Sequence, residues 1–174
     1  MHCRDVATLL ADSWNGDNLN GCFDIEFVSA CDGRARVRMP HSKSVTQPNG
    51  LFHAGAIVAL ADVAATAAAF SSLHAAGENN PKRLPLAFQI STNLVGNTGR
   101  GMLVAEAEVL SLGRTVIVAQ ARVVDENSQP VAMSPRPSAV RPGNVPEKPN
   151  HPKIRGALAQ SDLFWFSGRR RQAR

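Results

Sequence analysis

The sequence predicts an α+β protein in which a curved antiparallel sheet wraps around one long central helix. Residues 51–76 are almost entirely small or apolar, a pattern typical of a helix buried on most sides. Segments with strand-like alternation lie on both sides of this helix, and the longer run of them follows it without interruption. Antiparallel strands around a single apolar helix indicate that the sheet is its main covering layer.

A short helix is predicted near the start of the chain. Val6, Leu9, Leu10 and Trp14 recur at helical spacing within residues 4–14. The polar sequence Asn-Gly-Asp-Asn that follows Trp14 ends this pattern.

A hairpin is predicted next. Residues 23–27 alternate apolar and acidic side chains, and residues 34–39 alternate arginine with apolar side chains. Cys31-Asp32-Gly33 lies between them and has the composition of a tight turn. The pattern predicts two antiparallel strands with one face in solvent.

Four further strands are predicted after the long helix. They span residues 86–94, 102–110, 115–124 and 129–133, and turn-forming sequences separate them. The strand at the edge of such a sheet is left unpaired, so a symmetric dimer that pairs edges is expected.

Residues 135–174 differ in composition from the rest. They contain six prolines, and their nine Lys or Arg against two acids give a net charge of +7, which leaves −2 for residues 1–134. We therefore predict one domain over 1–134 and a flexible, Pro/Arg-rich tail over 135–174, with a small docking helix in the tail as the alternative. Because the basic charge lies in the tail and the chain has no Tyr, the sequence argues against a nucleic-acid partner.

The cysteines and the first ten residues bear on location. Cys3, Cys22 and Cys31 have no close Cys or His partner at metal-binding spacing, so they predict free thiols and no metal or cofactor. The first ten residues mix acids and bases and do not form a signal peptide pattern. We expect a cytoplasmic protein, and the polar residues within 51–76 argue against a membrane span there.

The most informative stretch is QPNGLFHAGAIVALAD, residues 47–62. A Pro-Asn-Gly turn runs into the apolar helix, which carries a single acid, Asp62. An ionised carboxylate in such surroundings costs several kcal/mol unless partners satisfy it. Asp62 is therefore a candidate catalytic residue.

This arrangement resembles the hot-dog-fold acyl-CoA thioesterases, in particular the PaaI-like phenylacetate-degradation group, over roughly residues 23–133. That group's signature is an amide residue, a Gly three residues before a His-Gly-Gly, and an Asp or Glu on the central helix. Here Gln47 and Gly50 lie six and three residues before His53, and Asp62 lies nine after it. The resemblance implies a hot-dog fold and hydrolysis of an acyl- or aryl-CoA thioester.

Two residues depart from the signature. Ala54 replaces the first glycine of the pair, a mild change if the group supplied there is a backbone N–H. Ala87 stands about where many members carry Thr or Ser, so a hydroxyl that could orient water is missing. The loss of that hydroxyl bears on the rate or on the substrate.

Thioester hydrolysis requires donors for the developing oxyanion and a base or nucleophile. The first N–H groups of a helix are unpaired and lie at its positive end, so the N–H of Ala54 or Gly55 is the predicted donor. Gln47 is predicted to hold the carbonyl or a water through its amide. Asp62 is the predicted base or nucleophile, kept ionised by Thr66 one turn on; a structural aspartate at a dimer interface is the alternative.

Helix geometry indicates that the site is shared between subunits. If both residues are helical, Asp62 lies about 180° around the helix and ~13 Å along it from His53. The two cannot meet within one chain. A two-fold dimer with antiparallel central helices would bring Asp62 of one subunit to the helix start of the other.

The remaining candidates have weaker signals. His53 is expected to shape the helix start, with a role as base left as the alternative. Asn49 and Gly50 are predicted turn residues beside the substrate. Arg114, together with Lys82, Arg83 and Arg100, could contact coenzyme A phosphates.

Two other functions are alternatives to thioester hydrolysis. A non-catalytic acyl-CoA-binding or sensor protein on the same fold is the main alternative, and Ala87 favours it. A hot-dog dehydratase is disfavoured because no His-Phe-Pro-Gly-like sequence precedes the helix. The acyl group, and whether dimers associate further, stay open.

Overall fold

The structure, a computed structural model, describes residues 3–77, 84–134 and 138–141. Its helices and strands follow in the order α1 (Cys3–Trp14), α2 (Leu19–Cys22), β1 (Glu26–Cys31), β2 (Arg34–Pro40), α3 (Ala54–Ala75), β3 (Leu86–Gln89), β4 (Asn93–Leu94), β5 (Met102–Leu112), β6 (Ile117–Val124), β7 (Pro130–Met133) and β8 (Ser138–Arg141), with a short 3-10 helix at Lys43–Val45 before α3.

The strands form one antiparallel sheet in the order β1-β2-β5-β6-β7-β4, and β8 pairs with both β6 and β3. The sheet packs around α3, which lies mainly against β2, β5 and β6. Small side chains meet at this contact: the inner face of β5 presents Ala105 and Ala107, and α3 buries Ala64 and Ala68. Small residues allow helix and sheet to approach closely, and the predicted architecture is confirmed.

Helix α3 is long and apolar enough to cross a membrane, with a mean hydropathy of 1.8 over 18 residues. In this fold 72% of that window is buried inside the protein. Its apolar composition is therefore accounted for by the core of the sheet that wraps it.

The β1–β2 hairpin forms as predicted around Asp32 and Gly33, whose φ angles are 44° and 80°. A Cβ atom at Gly33 would lie 2.7 Å from the Ser72 hydroxyl, and the Gly33 N–H donates to the Ser71 hydroxyl at 2.9 Å. The turn is thus pinned to α3. Strand β1 begins at Glu26 rather than at residue 23, because Phe23 ends the short helix α2, which the sequence did not predict.

The predicted strand over 86–94 is two strands. β3 pairs with β8 and β4 pairs with β7, so the break follows the gap between those two partners. Ser138–Arg141, which the sequence placed in the tail, instead belongs to this sheet as β8, because its backbone pairs with β3 and β6. Residues 142–174 lie outside the described residues, and their tail assignment stays a prediction.

One edge of the sheet is formed by β3 and β4. Large apolar side chains are exposed along it, with Leu86 60% and Phe88 50% accessible, and with Ile90 and Leu94 beyond them. An exposed edge with apolar side chains is the type of surface that a second sheet edge covers.

The cysteines differ from the prediction. Cys22 has a free thiol, whereas Cys31 is disulfide-bonded, so the expectation of three free thiols is wrong for Cys31. The reason is tertiary: α1 packs against β1, whose last residue is Cys31, and no spacing along the chain indicates this contact.

Candidate active site

The loop before α3 is a compact turn fixed by hydrogen bonds. The Gln47 N–H donates to the Leu51 carbonyl and the Gly50 N–H to the Gln47 carbonyl, at 2.9 and 2.8 Å. The Asn49 side chain accepts from the Leu51 N–H, as expected of a turn residue. Gly50 has φ of +82°, a conformation that other residues adopt only with strain.

Two residues that the sequence did not single out hold this loop. The His41 ring donates from Nε2 to the Gly50 carbonyl at 3.0 Å and packs edge-on against Phe52, with ring centroids 4.9 Å apart. The Asn97 amide donates to the Phe52 carbonyl at 2.8 Å. The sequence around Asn97 predicted a turn, but nothing in it indicated that its side chain reaches the start of α3.

His53 immediately precedes α3 and is its N-cap residue. Its backbone is extended, and its Nδ1 accepts a hydrogen bond from the Gly55 N–H at 2.9 Å. Gly55 was one of the two predicted oxyanion donors, and its N–H is therefore occupied. Among the described residues, the Ala54 N–H has no hydrogen-bond acceptor, and it lies at the positive end of the helix.

Because His53 is not helical, the angular comparison of His53 with Asp62 does not apply. Asp62 lies seven residues after Gly55, so the two residues differ by only about 20° in direction around the helix axis. Gly55 is exposed and Asp62 is half-buried, whereas Leu60 and Ala61 are buried by the sheet. The start of α3 and Asp62 therefore share the helix face that the sheet leaves uncovered.

Asp62 and the start of α3 are nevertheless far apart along the helix axis. Eight residues of helix place Asp62 about 12 Å from Ala54 along the axis. One thioester carbonyl cannot contact both within a single chain.

The Asp62 carboxylate has no hydrogen bond or ion pair with any of the residues that the structure describes. The predicted hydrogen bond from Thr66 is absent, although both side chains line one cavity of about 360 Å³. Burial without such a partner raises the pKa of Asp62 above its ordinary value of 3.8. A carboxyl group of this kind, half-buried beside a cavity, is typical of catalytic acids and bases.

The candidate phosphate contacts lie at different places. Arg100 is in the loop whose Thr98 carbonyl accepts from the Phe52 N–H, so it is near the start of α3. Arg114 is exposed in the β5–β6 turn, three residues before Ile117, which packs with Ala69 in the second half of α3. Lys82 and Arg83 lie outside the described residues.

Gln47 and Ala87, which the sequence also singled out, lie on the loop before α3 and on β3. Gln47 is half-buried, and its side-chain amide makes no hydrogen bond to any described residue. Ala87 is exposed on β3, where its backbone pairs with Val140 of β8.

A sequence profile of the thioesterase superfamily matches residues 49–132. The Bacillus subtilis (strain 168) protein named "Putative esterase ComA2" is 31% identical over 110 residues, which are 63% of this chain and 83% of that protein. The chain belongs to the thioesterase superfamily. The matched residues hold the whole of α3, and with it Ala54, Asp62 and Thr66.

Two further likenesses agree with this family. The 1,4-dihydroxy-2-naphthoyl-CoA hydrolase of Listeria monocytogenes serotype 1/2a (strain 10403S) is 29% identical over 110 residues, 63% of this thioesterase and 85% of that enzyme. The E. coli PaaI protein from the phenylacetic acid degradation operon superposes with a TM-score of 0.67 at 22% identity, covering 82% of this chain and 97% of PaaI. The hot-dog fold and the thioester hydrolase class expected from the sequence are confirmed.

Proposed function

We propose that this thioesterase hydrolyses an acyl- or aryl-CoA ester in a site shared by two subunits. The observation that carries the proposal is Asp62, a half-buried acid with no hydrogen bond to a described residue, on the same helix whose start presents the unpaired Ala54 N–H. The Asp62 carboxylate serves as the base and the Ala54 N–H as the oxyanion donor.

The chemistry follows from these two groups. Asp62 takes a proton from a water molecule, whose oxygen attacks the thioester carbonyl carbon. The carbonyl oxygen becomes negatively charged and is stabilised by the Ala54 N–H and the positive end of α3. When the C–S bond breaks, the carboxylic acid is released and the coenzyme A thiolate takes the proton held by Asp62, which restores the ionised base. Gln47, on the turn before α3, holds the carbonyl or the water through its side-chain amide.

Two observations support a shared site. Ala54 and Asp62 are about 12 Å apart along one helix, so a carbonyl that contacts both requires a second chain. The β3–β4 edge exposes Leu86 and Phe88, which a second copy of the sheet would cover. We therefore propose a homodimer.

The proposal that the substrate is a CoA ester rests on two exposed arginines and on a relative of this chain. The Listeria relative is named for a CoA thioester. Arg100 near the start of α3 and Arg114 near its end are exposed cations suited to phosphate groups. In an antiparallel pair of helices, the Arg114 end of one chain lies toward the α3 start of the other.

The test is thiol release from a panel of acyl-CoA and aryl-CoA esters, followed with a thiol-reactive dye. We expect turnover by the unchanged protein and a loss of at least about 100-fold in Asp62→Asn. Glu108→Gln, on the solvent face of the sheet, is the matched control and should retain activity. Full turnover by Asp62→Asn would reject Asp62 as the base. Binding of the esters without thiol release would instead select the non-catalytic acyl-CoA-binding alternative.

A further inference from the structure

We propose that Asn97 and His41 are positioning residues for the reaction, which act through two backbone carbonyls of the loop before α3. This inference rests on the proposed thioesterase function and adds two residues that act without touching the substrate. Asn97 holds the Phe52 carbonyl and His41 holds the Gly50 carbonyl. These carbonyls lie just before Ala54, whose N–H is the proposed oxyanion donor, so both contacts bear on the direction of that N–H.

Phe52 is fixed on both of its backbone groups by the loop between β4 and β5. Its N–H donates to the Thr98 carbonyl at 3.0 Å, and its carbonyl accepts from the Asn97 side-chain amide at 2.8 Å. The Phe52 side chain is fully buried. A residue held at its N–H, its carbonyl and its side chain has little freedom to move, so the β4–β5 loop sets its position.

The peptide group between Phe52 and His53 is therefore held at both ends. Its carbonyl oxygen is bound by Asn97, and its N–H, which belongs to His53, donates to the Val45 carbonyl at 2.7 Å. The next peptide group along the chain carries the Ala54 N–H. Since only the two backbone dihedral angles of His53 separate these peptide groups, a shift of the first one turns the Ala54 N–H.

The Gly50 carbonyl is held in a similar way. His41 donates to it from Nε2 at 3.0 Å, its ring packs edge-on against Phe52, and its own N–H donates to the Gly101 carbonyl at 2.9 Å. The Gly50 N–H donates to the Gln47 carbonyl in the same turn. His41 therefore connects the turn that carries Gln47 to the chain just before β5.

Both side chains use polar atoms on the backbone of the protein itself. The Asn97 amide nitrogen is bound to Phe52, its Oδ1 accepts from the Thr98 N–H at 2.8 Å, and the Nε2 of His41 is bound to Gly50. Such side chains set the geometry of a site and leave the chemistry to other groups. A misplacement of about 1 Å at a reacting centre can lower the rate about 100-fold. We therefore expect loss of these contacts to lower kcat and to change KM little.

The test measures kcat and KM for thiol release from whichever of acetyl-CoA, benzoyl-CoA and palmitoyl-CoA the unchanged protein hydrolyses fastest. Asn97→Asp has nearly the same shape and loses the amide donor. Asn127→Asp is the matched control, since it adds the same charge in the β6–β7 turn, where the exposed Asn127 side chain makes no hydrogen bond to any described residue. His41→Phe keeps a ring beside Phe52 and loses the donor, whereas His41→Gln keeps a donor.

We expect kcat to fall at least about tenfold in Asn97→Asp and in His41→Phe, with KM within about threefold of that of the unchanged protein. Asn97→Ala, which adds no charge, should show the same loss as Asn97→Asp. His41→Gln and Asn127→Asp should keep most of kcat. Thermal unfolding gives the folded fraction of each variant at the assay temperature, and kcat is calculated per folded protein.

A second readout separates positioning from general support of the fold. Ala54→Pro removes the N–H on which Asn97 is proposed to act, so Asn97→Asp should lower kcat much less in Ala54→Pro than in the unchanged protein. Fully additive losses, an unchanged kcat, or a raised KM at unchanged kcat would overturn the inference and leave the thioesterase function standing. If the unchanged protein released thiol from none of the esters, the proposed function would fail together with this inference.

Discussion

The Nδ1 atom of His53 accepts a hydrogen bond from the Gly55 backbone N–H across 2.9 Å. In this arrangement Nδ1 is an acceptor and not a donor. The contact makes His53 the N-cap of α3 and occupies the Gly55 donor. It leaves the Ala54 N–H as the candidate for oxyanion stabilisation, and it leads to the predictions below.

Replacing Ala54 with Pro should remove the proposed oxyanion donor and keep the fold. Proline is well tolerated at the first helical position, and the φ of −69° and ψ of 135° at His53 suit a residue that precedes proline. We expect thiol release to fall about 100- to 1,000-fold, with little change in urea unfolding. Ala54→Ser keeps the N–H and should retain most activity. An active, folded Ala54→Pro protein would exclude this N–H from catalysis.

Mixing two inactive variants tests whether the site is shared. In a dimer of one Ala54→Pro chain and one Asp62→Asn chain, one of the two sites has both intact groups. Random co-assembly of equal amounts makes half of the dimers mixed, and each mixed dimer has one intact site of two. The mixture should therefore recover about a quarter of the activity of the unchanged protein. If both groups acted within a single chain, co-expression would recover none.

The activity should fall in acid because the base must be ionised. Burial raises the pKa of Asp62 above 3.8, so kcat/KM should rise with pH through that raised pKa and then level off. A pH profile of thiol release over about pH 4 to 8 measures this limb. The same acid limb in the residual activity of Asp62→Asn would assign the titration to a different group.

The raised pKa of Asp62 also predicts that this residue lowers the free energy of unfolding by an amount that depends on pH. Below 3.8, the ordinary value, Asp62 is protonated in both folded and unfolded chains and contributes nothing. As the pH rises, the unfolded chain ionises first, so the folded state loses stability until the pH passes the raised pKa. Asp62→Asn should therefore increase the free energy of unfolding at pH 7 and not in acid. Urea unfolding at both pH values checks this; equal effects at the two values would contradict the burial of an unpaired acid.

The N-cap role of His53 makes a separate prediction. His53→Ala should lose about 1 kcal/mol of the free energy of unfolding, whereas His53→Asn, whose side chain can cap, should lose less. Thermal or urea unfolding distinguishes the two. We expect thiol release by His53→Asn within about tenfold of the unchanged protein, since capping does not require proton transfer. A well-folded but inactive His53→Asn would favour the alternative, in which His53 is the base.

Much of the fold could be predicted from local patterns. The apolar run over 51–76 predicted α3, observed at Ala54–Ala75, and the Asp32-Gly33 turn predicted the hairpin. Asp62 could be identified as a candidate from the sequence because an unpaired acid in an apolar helix is costly to bury. These features depend on periodicity and turn chemistry, which neighbouring residues carry along the chain.

The details of the site depend on contacts between distant residues. His41 and Asn97 hold the loop before α3, and Trp14 faces Asp62 across a cavity although 48 residues separate them in the chain. No periodicity encodes such pairs, because they arise only when helices and strands pack in three dimensions. The pKa of Asp62 follows from the same packing, since desolvation depends on what surrounds the carboxyl group in space and not on its neighbours in the chain.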